Sequence, residues 1–451
     1  MKVSMIGTGY VGLVSGVCFA EKGHSVICVD IDQDKVDSIN QGIPPIYEKG
    51  LQELLQKNIG DGLQAVTDLG QAVQETEISM IAVGTPFDGK EIDLGYIKQV
   101  SQQIGEALRN KNSYHLVVIK STVVPGTTEN VVLPILEETS GKKAGVDFGL
   151  GMNPEFLREG EAIEDFMFLD RIILGGIDAK SISLLELLYQ VFEGIEKLTT
   201  NCTTAEMIKY TANSLLATMI SFSNEIGNLC SAVGGVDVVE VMQGVHLDKR
   251  FSPITASGDR ITPAFLSYLQ AGCGFGGSCF PKDLKALTAY GSKLGNQMEI
   301  LEAAIRVNVA QPQKVLDLLK KHFPSTEGVK VSVLGLAFKP GTDDIRESPA
   351  IPIIESLLSQ GAIVKTYDPF AQKEAQKYFG ENELLFCDDL TDALDAVEAV
   401  IIVTCWSEFE ALPRLLAGKD NPPVVVDGRR MLGKQSVSIY EGIGWSSKSK
   451  Y

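Results

Sequence analysis

The chain has 451 residues, of which 44% are hydrophobic and 22% are charged, a balance typical of a globular protein with two or three domains. Its formal net charge of −18 disfavours anionic partners, so we expect no nucleic acid and no membrane among them. The 8 cysteines show no C-x-x-C spacing and only 4 histidines accompany them, which argues against a metal and a disulfide framework. We therefore expect a protein of the reducing cytoplasm.

The first 175 residues alternate short apolar runs with helical patterns rich in Ala, Glu, Lys, Gln and Leu. Strands that alternate with helices predict a parallel sheet covered by helices on both faces. The predicted strands are residues 3–6, 26–29, 78–83, 116–119 and 172–174.

The pattern changes at residues 203–234, which contain no proline and repeat apolar side chains every three or four positions. This periodicity predicts a long helix, and further helical pattern continues to about residue 310. A second αβ region follows, with strands predicted at 329–338, 363–367, 400–404 and 424–426 and a disordered tail at 446–451. The predicted domains are 1–198, 199–315 and 316–451.

A glycine-rich turn, GTGYVG, follows the first predicted strand and precedes a helix, the context in which G-x-G-x-x-G binds dinucleotides. Gly7 makes the turn, Gly9 lets the backbone approach a pyrophosphate, and Gly12 lets the helix pack on the strand. Asp30 ends the second strand, where a carboxylate binds a ribose 2′-hydroxyl and repels a 2′-phosphate. The predicted cofactor is therefore NAD rather than NADP, and the alternative is a glycine-rich helix start without a ligand.

The stretch GFGGSCFPKD, 274–283, places Cys279 between glycines and a lysine–aspartate pair. A structural cysteine prefers bulky apolar neighbours, whereas the nearby cation of Lys282 favours the nucleophilic thiolate. Cys279 is therefore a candidate nucleophile, although a single cysteine without a marked partner is weak evidence by itself.

Two other polar patterns also have an ordinary structural explanation. NPEFLREG, 153–160, predicts a helix start that places Glu155 and Glu159 on one face, as a solvated first turn would. Lys209 and Asn213 are four residues apart on the predicted long helix and point the same way, as a solvated polar patch would.

Small hydroxyl or cationic residues follow several predicted strands. KSTVVPGTT, 120–128, lies at the carboxyl end of a strand, where open parallel sheets bind ligands. GLAFKPGTDDIRESPA, 335–350, supplies Lys339 and Arg346, and DGRR, 427–430, supplies two more arginines. Such cations suit phosphate groups, and each pattern by itself is equally a turn cap or a surface charge.

Together these stretches resemble the UDP-glucose/GDP-mannose dehydrogenase family. The matching motifs occur in the family's order between residues 5 and 430: GTGYVG, VGTP, KSTVVPGT, NPEFLREG, AEMIKYTAN, GFGGSCFPKD, LGLAFKPGTDDIRES and DGRR. The resemblance implies an α/β fold with two Rossmann-like, doubly wound parallel-sheet domains joined by a helical domain with a long central helix. It also implies a homodimer, formed through that helix, that oxidises the C6 alcohol of a nucleotide-linked sugar to a carboxylate with two NAD molecules and no metal.

The resemblance further implies roles for individual residues. The catalytic set is Cys279, Lys209, Asn213, Asp283, Glu155 and Thr122. The cofactor-binding set is Gly7, Gly9, Tyr10, Val11, Gly12, Asp30, Lys35, Thr85, Thr122, Glu159, Lys282 and Arg346. The substrate-binding set is Glu155, Phe156, Leu157, Lys209, Asn213, Arg260, Phe275, Gly276, Lys339 and Arg429.

The implied chemistry removes two hydrides, and an aldehyde releases hydride poorly until a nucleophile has added to its carbonyl. By resemblance, Cys279 adds to the aldehyde, and the thiohemiacetal is oxidised to a thioester that water hydrolyses. Lys209 and Asn213 would bind the oxyanion at C6, while the other three catalytic residues position water and transfer protons.

The second αβ domain reads GLAFKPG after its first strand and lacks a full G-x-G-x-x-G. This fits a nucleotide held by Lys339 rather than a second NAD, so we expect the active site in the cleft between the αβ domains.

One segment departs from the family's pattern, which has D-x-R-I-x-x-x-F-L before the cysteine loop and an arginine that reaches the partner subunit's substrate. LDKRFSP, 247–253, and DRITPAFL, 259–266, are partial matches, and SYLQAGC lengthens the path to the cysteine. Either Arg250 or Arg260 fits the role, and we prefer Arg260. Because this segment shapes the sugar pocket, the departure bears on the identity of the sugar more than on the reaction.

The favoured substrate is UDP-glucose, and the alternative is the same reaction on GDP-mannose or a UDP-N-acetylhexosamine. A two-electron β-hydroxyacid dehydrogenase also has a Rossmann–helical plan and a helix-borne lysine, but it needs neither Cys279 nor a third domain. A non-enzyme alternative is an NAD-sensing regulator that uses Cys279 as a redox switch. Neither accounts for the separate carboxylate, lysine–asparagine and cysteine motifs.

Overall fold

The computed structural model describes residues 1–380 and 384–446. The chain divides into two compact units, Met1–Ala212 and Asn213–Tyr451, each with its own β-sheet. The predicted disordered tail, 446–451, lies outside the described residues except for Ser446. In the described part, no helix combines the length and the apolarity that crossing a membrane requires.

The sheet of the first unit contains eight strands, and apolar residues fill its central strands, as expected where helices cover both faces. The strands are β1 (Lys2–Ile6), β2 (Ser25–Val29), β3 (Leu63–Val66), β4 (Ile78–Ile81), β5 (His115–Ile119), β6 (Phe148–Met152), β7 (Ile172–Gly176) and β8 (Lys197–Thr200). Their order is β3-β2-β1-β4-β5-β6-β7-β8. Every pair is parallel except β6 with β7, which is antiparallel.

Helices follow most strands of this unit, and two apolar clusters form its core. The helices are α1 (Tyr10–Glu21), α2 (Gln33–Asn40), α3 (Leu51–Asn58), α4 (Leu69–Glu75), α5 (Gly95–Arg109), α6 (Leu133–Ser140), α7 (Ala162–Met167) and α8 (Ala179–Leu188). The next helix, α9 (Cys202–Val233), is the predicted long helix, and it continues across the boundary between the units.

The second unit continues with helices and then forms a six-stranded parallel sheet in the order β11-β10-β9-β12-β13-β14. The strands are β9 (Lys330–Leu334), β10 (Ile363–Tyr367), β11 (Leu385–Phe386), β12 (Ala399–Ile402), β13 (Val424–Asp427) and β14 (Tyr440–Gly442). The helices are α10 (Val238–His246), α11 (Phe280–Lys293), α12 (Glu299–Leu319), α13 (Ala350–Ser359), α14 (Gln372–Phe379), α15 (Leu390–Ala393) and α16 (Leu412–Leu416). Two Rossmann-like sheets and a long helix confirm the predicted fold class.

Several predicted elements differ from the structure for identifiable reasons. Helix α12 extends beyond residue 310, because it passes through Pro312 and its last turns bury Val315 and Leu319. Strand β6 was missed because it contains two glycines, and a Cβ at Gly149 would lie 2.8 Å from a side-chain carbon of Leu116. The short edge strands β3, β8, β11 and β14 carry too little apolar pattern to be recognised.

Candidate active site

The glycine-rich turn joins β1 to α1. Gly7 has a φ of 95°, which glycine adopts without steric cost. A Cβ at Gly12 would lie 1.9 Å from the carbonyl oxygen of Gly7, so the first turn of α1 packs directly on the loop. A Cβ at Gly9 would meet no atom within 4 Å, so an anion can approach the backbone at this helix N-terminus. The turn therefore fits the pyrophosphate of a dinucleotide.

Asp30 directly follows β2 and binds this turn. Its Oδ2 accepts hydrogen bonds from the amide and the hydroxyl of Thr8 at 3.0 and 2.6 Å, and its Oδ1 accepts one from the Asp32 amide at 3.1 Å. Burial would raise the pKa of Asp30, but these hydrogen bonds and the charge of Lys35 hold it below the usual value. An ionised carboxylate here suits the 2′-hydroxyl of NAD and repels a 2′-phosphate.

The loops after β4 and β5 carry two more predicted cofactor residues. The Thr85 hydroxyl donates to the carbonyl oxygen of Thr122 at 2.8 Å, and the Ser121 hydroxyl donates to the carbonyl oxygen of Val83 at 2.7 Å. These bonds join the two loops at the carboxyl edge of the sheet, where parallel sheets bind ligands.

Glu155 and Lys209 form a buried ion pair, with 2.9 Å between Oε1 and Nζ. The other carboxylate oxygen accepts a hydrogen bond from the Leu157 amide at 2.7 Å. Burial would raise the pKa of Glu155, but the charge of Lys209 and these hydrogen bonds hold it below the usual value. The explanation of both residues as solvated surface groups is therefore wrong.

The segment NPEFLREG does not begin a helix, because α7 starts only at Ala162. Asn153 is therefore not a helix cap. Its buried Oδ1 accepts hydrogen bonds from Lys120 Nζ at 3.0 Å and from Tyr189 Oη at 2.5 Å. These distant partners replace the local cap that the sequence suggested. The segment is consequently a loop, and its two glutamates do not share a helical face.

A carboxylate that the sequence analysis missed, Glu48, fixes the far end of this loop. It accepts hydrogen bonds from the amides of Gly160 and Ala162 at 2.7 and 2.9 Å and from the Tyr10 hydroxyl. Burial, followed by the bond to Glu48, raises the pKa of Tyr10, and the charge of Glu159 adds to this effect. The start of α1 is thus tied to the predicted substrate loop.

Apolar and aromatic side chains support the same loop. The ring of Phe156 faces two cations, with the Arg171 guanidinium 3.9 Å and Lys209 Nζ 5.3 Å from its centroid. Val11 and Leu157 pack against one apolar core cluster.

Cys279 immediately precedes α11, and its carbonyl oxygen accepts a hydrogen bond from the Asp283 amide at 2.8 Å. The amides and dipole of a helix N-terminus favour negative charge at this position. Of the eight cysteines, only Cys279 and Cys405 are half-buried. Burial raises the pKa of Cys405 and of Cys387 to about 11, so these two thiols are weak candidates for a nucleophile.

Asp283, on the first turn of α11, binds two other predicted residues. Its Oδ2 accepts a hydrogen bond from the Asn213 amide group at 2.7 Å, and its Oδ1 pairs with Lys282 Nζ at 2.6 Å. Asn213 and Asp283 are both buried, so a solvated patch does not explain Asn213. The second unit therefore brings Asn213 of α9 next to Lys282 and Asp283 on the first turn of α11, directly after Cys279.

The backbone before Cys279 is held by side chains rather than by secondary structure. Asn308 accepts from the Phe275 amide at 2.8 Å and donates to its carbonyl oxygen at 2.9 Å, and Gln311 donates to the Gly272 carbonyl oxygen at 2.7 Å. The sequence analysis missed both residues of α12, because their partners lie more than thirty residues away along the chain. At Gly276, a Cβ would lie 2.2 Å from the carbonyl oxygen of Glu347, so no other residue fits.

The predicted phosphate-binding cations occupy different environments. Arg346 is exposed and forms a two-pronged pair with Asp344, with contacts of 2.6 to 3.0 Å. Arg429 donates to the carbonyl oxygens of Val403 and Gly274 at 2.6 and 2.9 Å, so it also fixes the cysteine loop. Lys339 is half-buried beside the ring of Phe338.

The two candidate cross-subunit arginines also differ. Arg260 donates to the carbonyl oxygens of Leu247 and Ser252 at 2.8 and 2.9 Å, which closes the extra segment on itself. Arg250 is exposed and pairs with Asp248 at 2.5 Å. The structure therefore gives Arg260 an internal role, and the assignment of the cross-subunit arginine stays a prediction.

Among the described residues, no group of three or more His, Cys, Asp or Glu side chains is arranged to hold a metal ion. The predicted site residues fall into a set in Met1–Ala212, around the glycine-rich turn and Glu155, and a set in Asn213–Tyr451, around Cys279. Helix α9 carries one member of each, Lys209 and Asn213, one turn apart.

Three family models match successive parts of the chain. They are the NAD binding domain, the central domain and the UDP binding domain of the UDP-glucose/GDP-mannose dehydrogenase family, at residues 1–193, 203–310 and 332–434.

Characterised relatives match over the full length. The UDP-glucose 6-dehydrogenase AglM of Haloferax volcanii is 42% identical, covering 98% of this chain and 100% of its own. The GDP-mannose 6-dehydrogenase of Azotobacter vinelandii is 40% identical, covering 99% and 100%. The structure of a UDP-glucose dehydrogenase from Pyrobaculum islandicum superimposes with a TM-score of 0.89 at 40% identity, covering 99% of this chain and 98% of that one. The chain therefore belongs to the UDP-glucose/GDP-mannose dehydrogenase family and is an NAD-dependent nucleotide-sugar dehydrogenase.

Proposed function

We propose that the protein oxidises the C6 alcohol of UDP-glucose to the carboxylate of UDP-glucuronate through a thioester on Cys279. The observation that carries the proposal is the position of this thiol at the start of α11, four residues before an aspartate that binds Asn213 and Lys282. A nucleophile, amide and ammonium donors and a carboxylate are the groups that such a reaction requires.

The first oxidation needs donors for the developing oxyanion at C6, and Lys209 and Asn213 supply them. The Asn213 amide carries two hydrogens, so its bond to Asp283 leaves one for the substrate oxygen. Glu155, in contact with Lys209, accepts the alcohol proton directly or through water, and Thr122 helps to position that water. When bound, NAD accepts a hydride from C6 at the alcohol level and again at the aldehyde level.

The second oxidation depends on Cys279. Its thiolate sulfur adds to the aldehyde carbon, and the carbonyl oxygen becomes an oxyanion held by the donors at C6. Loss of hydride from this thiohemiacetal gives a thioester, and water positioned by Asp283 adds to the thioester carbon. The carbon–sulfur bond then breaks, which releases the carboxylate and restores the thiol. In total, one alcohol, two NAD⁺ and one water give one carboxylate, two NADH and three protons.

The alternative is the same reaction on another nucleotide sugar. Relatives named as UDP-glucose and GDP-mannose dehydrogenases have nearly equal identity, 42% and 40%, so identity does not separate the two substrates. UDP-glucose is supported by the similarity to the UDP-glucose dehydrogenase structure at a TM-score of 0.89. The GGSCFPKD form of the cysteine loop favours UDP-glucose or GDP-mannose over a UDP-N-acetylhexosamine.

The test is a count of NADH by absorbance with excess NAD and a limiting amount of UDP-glucose. We expect two NADH per sugar. No NADH with UDP-glucose, but two per GDP-mannose or UDP-N-acetylhexosamine, would select the alternative substrate. One NADH per sugar would contradict the thioester. Cys279→Ser is expected to abolish the second oxidation, whereas Cys405→Ser, at the other half-buried cysteine, should retain it.

The proposed functional unit is a homodimer in the cytoplasm with domains 1–198, 199–315 and 316–451. The matches at 1–193, 203–310 and 332–434 support this division. Exposed Leu215, Phe222 and Leu229 recur at spacings of seven on α9, which supports pairing of this helix with a second copy. Light scattering should give twice the chain mass for the wild type and a smaller mass for Phe222→Glu.

A further inference from the structure

Lys120, in the loop after β5, is a buried cation to which the proposed mechanism gives no role. Its side chain is only 3% exposed, and its Nζ donates to Asn153 Oδ1 at 3.0 Å. Removing an ammonium from water is costly unless charges or hydrogen bonds compensate, so a lysine retained at such a position requires an explanation.

Hydrogen bonding does not supply that explanation. Asn153 Oδ1 also accepts a 2.5 Å hydrogen bond from the Tyr189 hydroxyl, so the amide keeps a partner without Lys120. Glu155 likewise keeps Lys209 and the Leu157 amide. An apolar side chain in place of Lys120 would therefore leave none of these polar groups without a partner.

The balance of charge among Lys120, Glu155 and Lys209 explains why a lysine is buried at position 120. Lys209, the ammonium that should hold the C6 oxyanion, is already neutralised by Glu155 at 2.9 Å. Lys120 Nζ binds Asn153, two residues before Glu155 in the same loop, and the charges of Glu155 and Lys209 both act on Lys120. The three groups therefore form one electrostatic cluster. With both lysines protonated, the cluster carries one surplus positive charge in surroundings that screen charge poorly.

We propose that Lys120 is a positioning residue whose charge balances Glu155 while Lys209 turns to the C6 oxygen of the substrate. Without it, movement of Lys209 toward the oxyanion would leave a buried carboxylate uncompensated, which would hold Lys209 back. This inference rests on the proposed function and assigns the cluster to the second oxidation. There Glu155, having passed the alcohol proton to water, is again a carboxylate while the oxyanion forms.

The surplus charge depends on pH. Burial lowers the pKa of Lys120 to about 8, the charge of Glu155 opposes this shift, and the charge of Lys209 adds to it. The other described contacts of these three groups are with Asn153, Tyr189, the Leu157 amide and the rings of Phe156 and Phe166, none of which changes charge near that pH. The charge should therefore be present below about pH 8 and lost above it.

The test compares Lys120→Met and Lys120→Gln, which remove the charge, with Lys120→Arg, which keeps it. The matched control is Lys111→Met, another buried lysine, whose Nζ donates to the carbonyl oxygens of Val73, Gln74 and Thr76 at 2.8 to 2.9 Å. We measure kcat, KM, the pH profile of kcat and the melting temperature of each protein.

The uncharged variants should lose at least about 30-fold in kcat, with melting temperatures equal to or above that of the wild type. The kcat of Lys120→Arg should be at least about tenfold higher than that of the uncharged variants. The alkaline limb of its pH profile should move to higher pH, because a guanidinium keeps its charge. Lys111→Met should show the opposite pattern, with a lower melting temperature and an unchanged kcat. An uncharged variant with wild-type kcat, or with a melting temperature lowered as in Lys111→Met, would overturn the proposal.

A second readout does not depend on the substrate. Because the pKa of Lys120 is about 8 when folded and 10.5 in its ordinary state, the unfolded chain binds more protons between these values. As the pH rises from about 8 to 10.5, the free energy of unfolding of the wild type should therefore increase relative to that of Lys120→Met. Identical slopes would contradict a buried charge at Lys120. If the wild type fails to oxidise UDP-glucose, the substrate proposal fails, and the kinetic test proceeds on the nucleotide sugar that the wild type oxidises.

Discussion

The first six strands of the larger sheet and the six strands of the smaller one have the same order, but the loops after their first strands differ. Strands β1 to β6 follow the order 3-2-1-4-5-6, and so do β9 to β14. In the first sheet, only three residues separate the end of β1 from the start of α1, which brings a helix N-terminus to the strand edge. In the second, residues 335–349 separate β9 from α13, and this longer loop contains Lys339 and Arg346.

An aspartate directly follows the second strand of each sheet, and its surroundings show the difference. Asp30 is half-buried and accepts three hydrogen bonds. Asp368 is 2% exposed and accepts five, from the amides of four loop residues and from the indole of Trp406, at 2.7 to 3.0 Å. Because its lone pairs are occupied, Asp368 stabilises its own loops rather than a ribose. Equal topology therefore does not imply equal ligands.

The largest effect should come from Gly12→Ala. Its Cβ would collide with the carbonyl oxygen of Gly7 at 1.9 Å and push α1 away from the turn. We expect NAD affinity to fall at least about 100-fold, or about 2.7 kcal/mol, by calorimetry. The counterpart in the second sheet is Gly335→Ala, whose Cβ would lie 2.4 Å from Thr404; it should lower stability but not the NAD affinity of the folded protein. Equal losses of NAD affinity in Gly12→Ala and Gly335→Ala would contradict the assignment of NAD to the first sheet.

Replacing each aspartate by asparagine should affect different properties: protein stability at Asp368 and cofactor preference at Asp30. Asp368→Asn places an amide group against several donors and should lower the free energy of unfolding in urea by about 2–4 kcal/mol. Asp30→Asn should cost less than about 1 kcal/mol in stability but reduce the preference for NAD over NADP about tenfold. If Asp30→Asn is the more destabilising substitution, the comparison of the two sites is wrong.

Buried carboxylates should make the two units respond differently to pH. Burial raises the pKa of Glu206, in the first unit, to about 7, although the hydrogen bonds from Thr128 and Gly126 oppose the shift. The folded state then binds more protons than the unfolded chain between about pH 4.5 and 7, so stability should fall by about 2–3 kcal/mol as pH rises through this range.

In the second unit, burial would raise the pKa of Asp237, but hydrogen bonds from Arg430 and Lys434 lower it to about 2. Its contribution is present above its ordinary value of 3.8 and lost as pH falls toward 2. Melting temperatures from pH 3 to 8 test both effects. Glu206→Gln should flatten the neutral slope, and Asp237→Asn should flatten the acid one. A neutral slope that persists in Glu206→Gln would rule out the assignment to Glu206.

The smallest predicted effects come from two lysine substitutions, one acting on the nucleotide sugar and the other on NAD. Lys339→Ala should raise the KM for the nucleotide sugar about tenfold, and leave NAD affinity unchanged, because it removes one charge-assisted contact to phosphate. Lys35→Ala should do the reverse, since the charge of Lys35 acts on Asp30 at the NAD turn. Initial-rate kinetics with each substrate varied in turn distinguish the two patterns, and a common effect on both substrates would contradict the division of roles.

The sequence alone determined the features that depend on local chemistry. The turn GTGYVG, an acidic residue directly after β2 and the apolar strand runs predict β1, β2, β4, β5 and β7 of the first sheet, because backbone conformation and side-chain periodicity are encoded over a few residues. The 3.6-residue repeat likewise predicts α9 to within one residue at each end. The resemblance added Cys279, Lys209 and Asn213, whose local patterns alone did not exclude a surface position.

Only the tertiary structure decided which polar groups compensate one another. Asn153 is a plausible helix cap in sequence, but its side chain binds partners from the loop after β5 and from the segment after α8, and residues 153–160 form a loop. Glu48, Asn308 and Lys120 lack a local motif because their partners lie far away along the chain. Burial and charge balance are sums over groups that folding brings together, so no short stretch of sequence contains them.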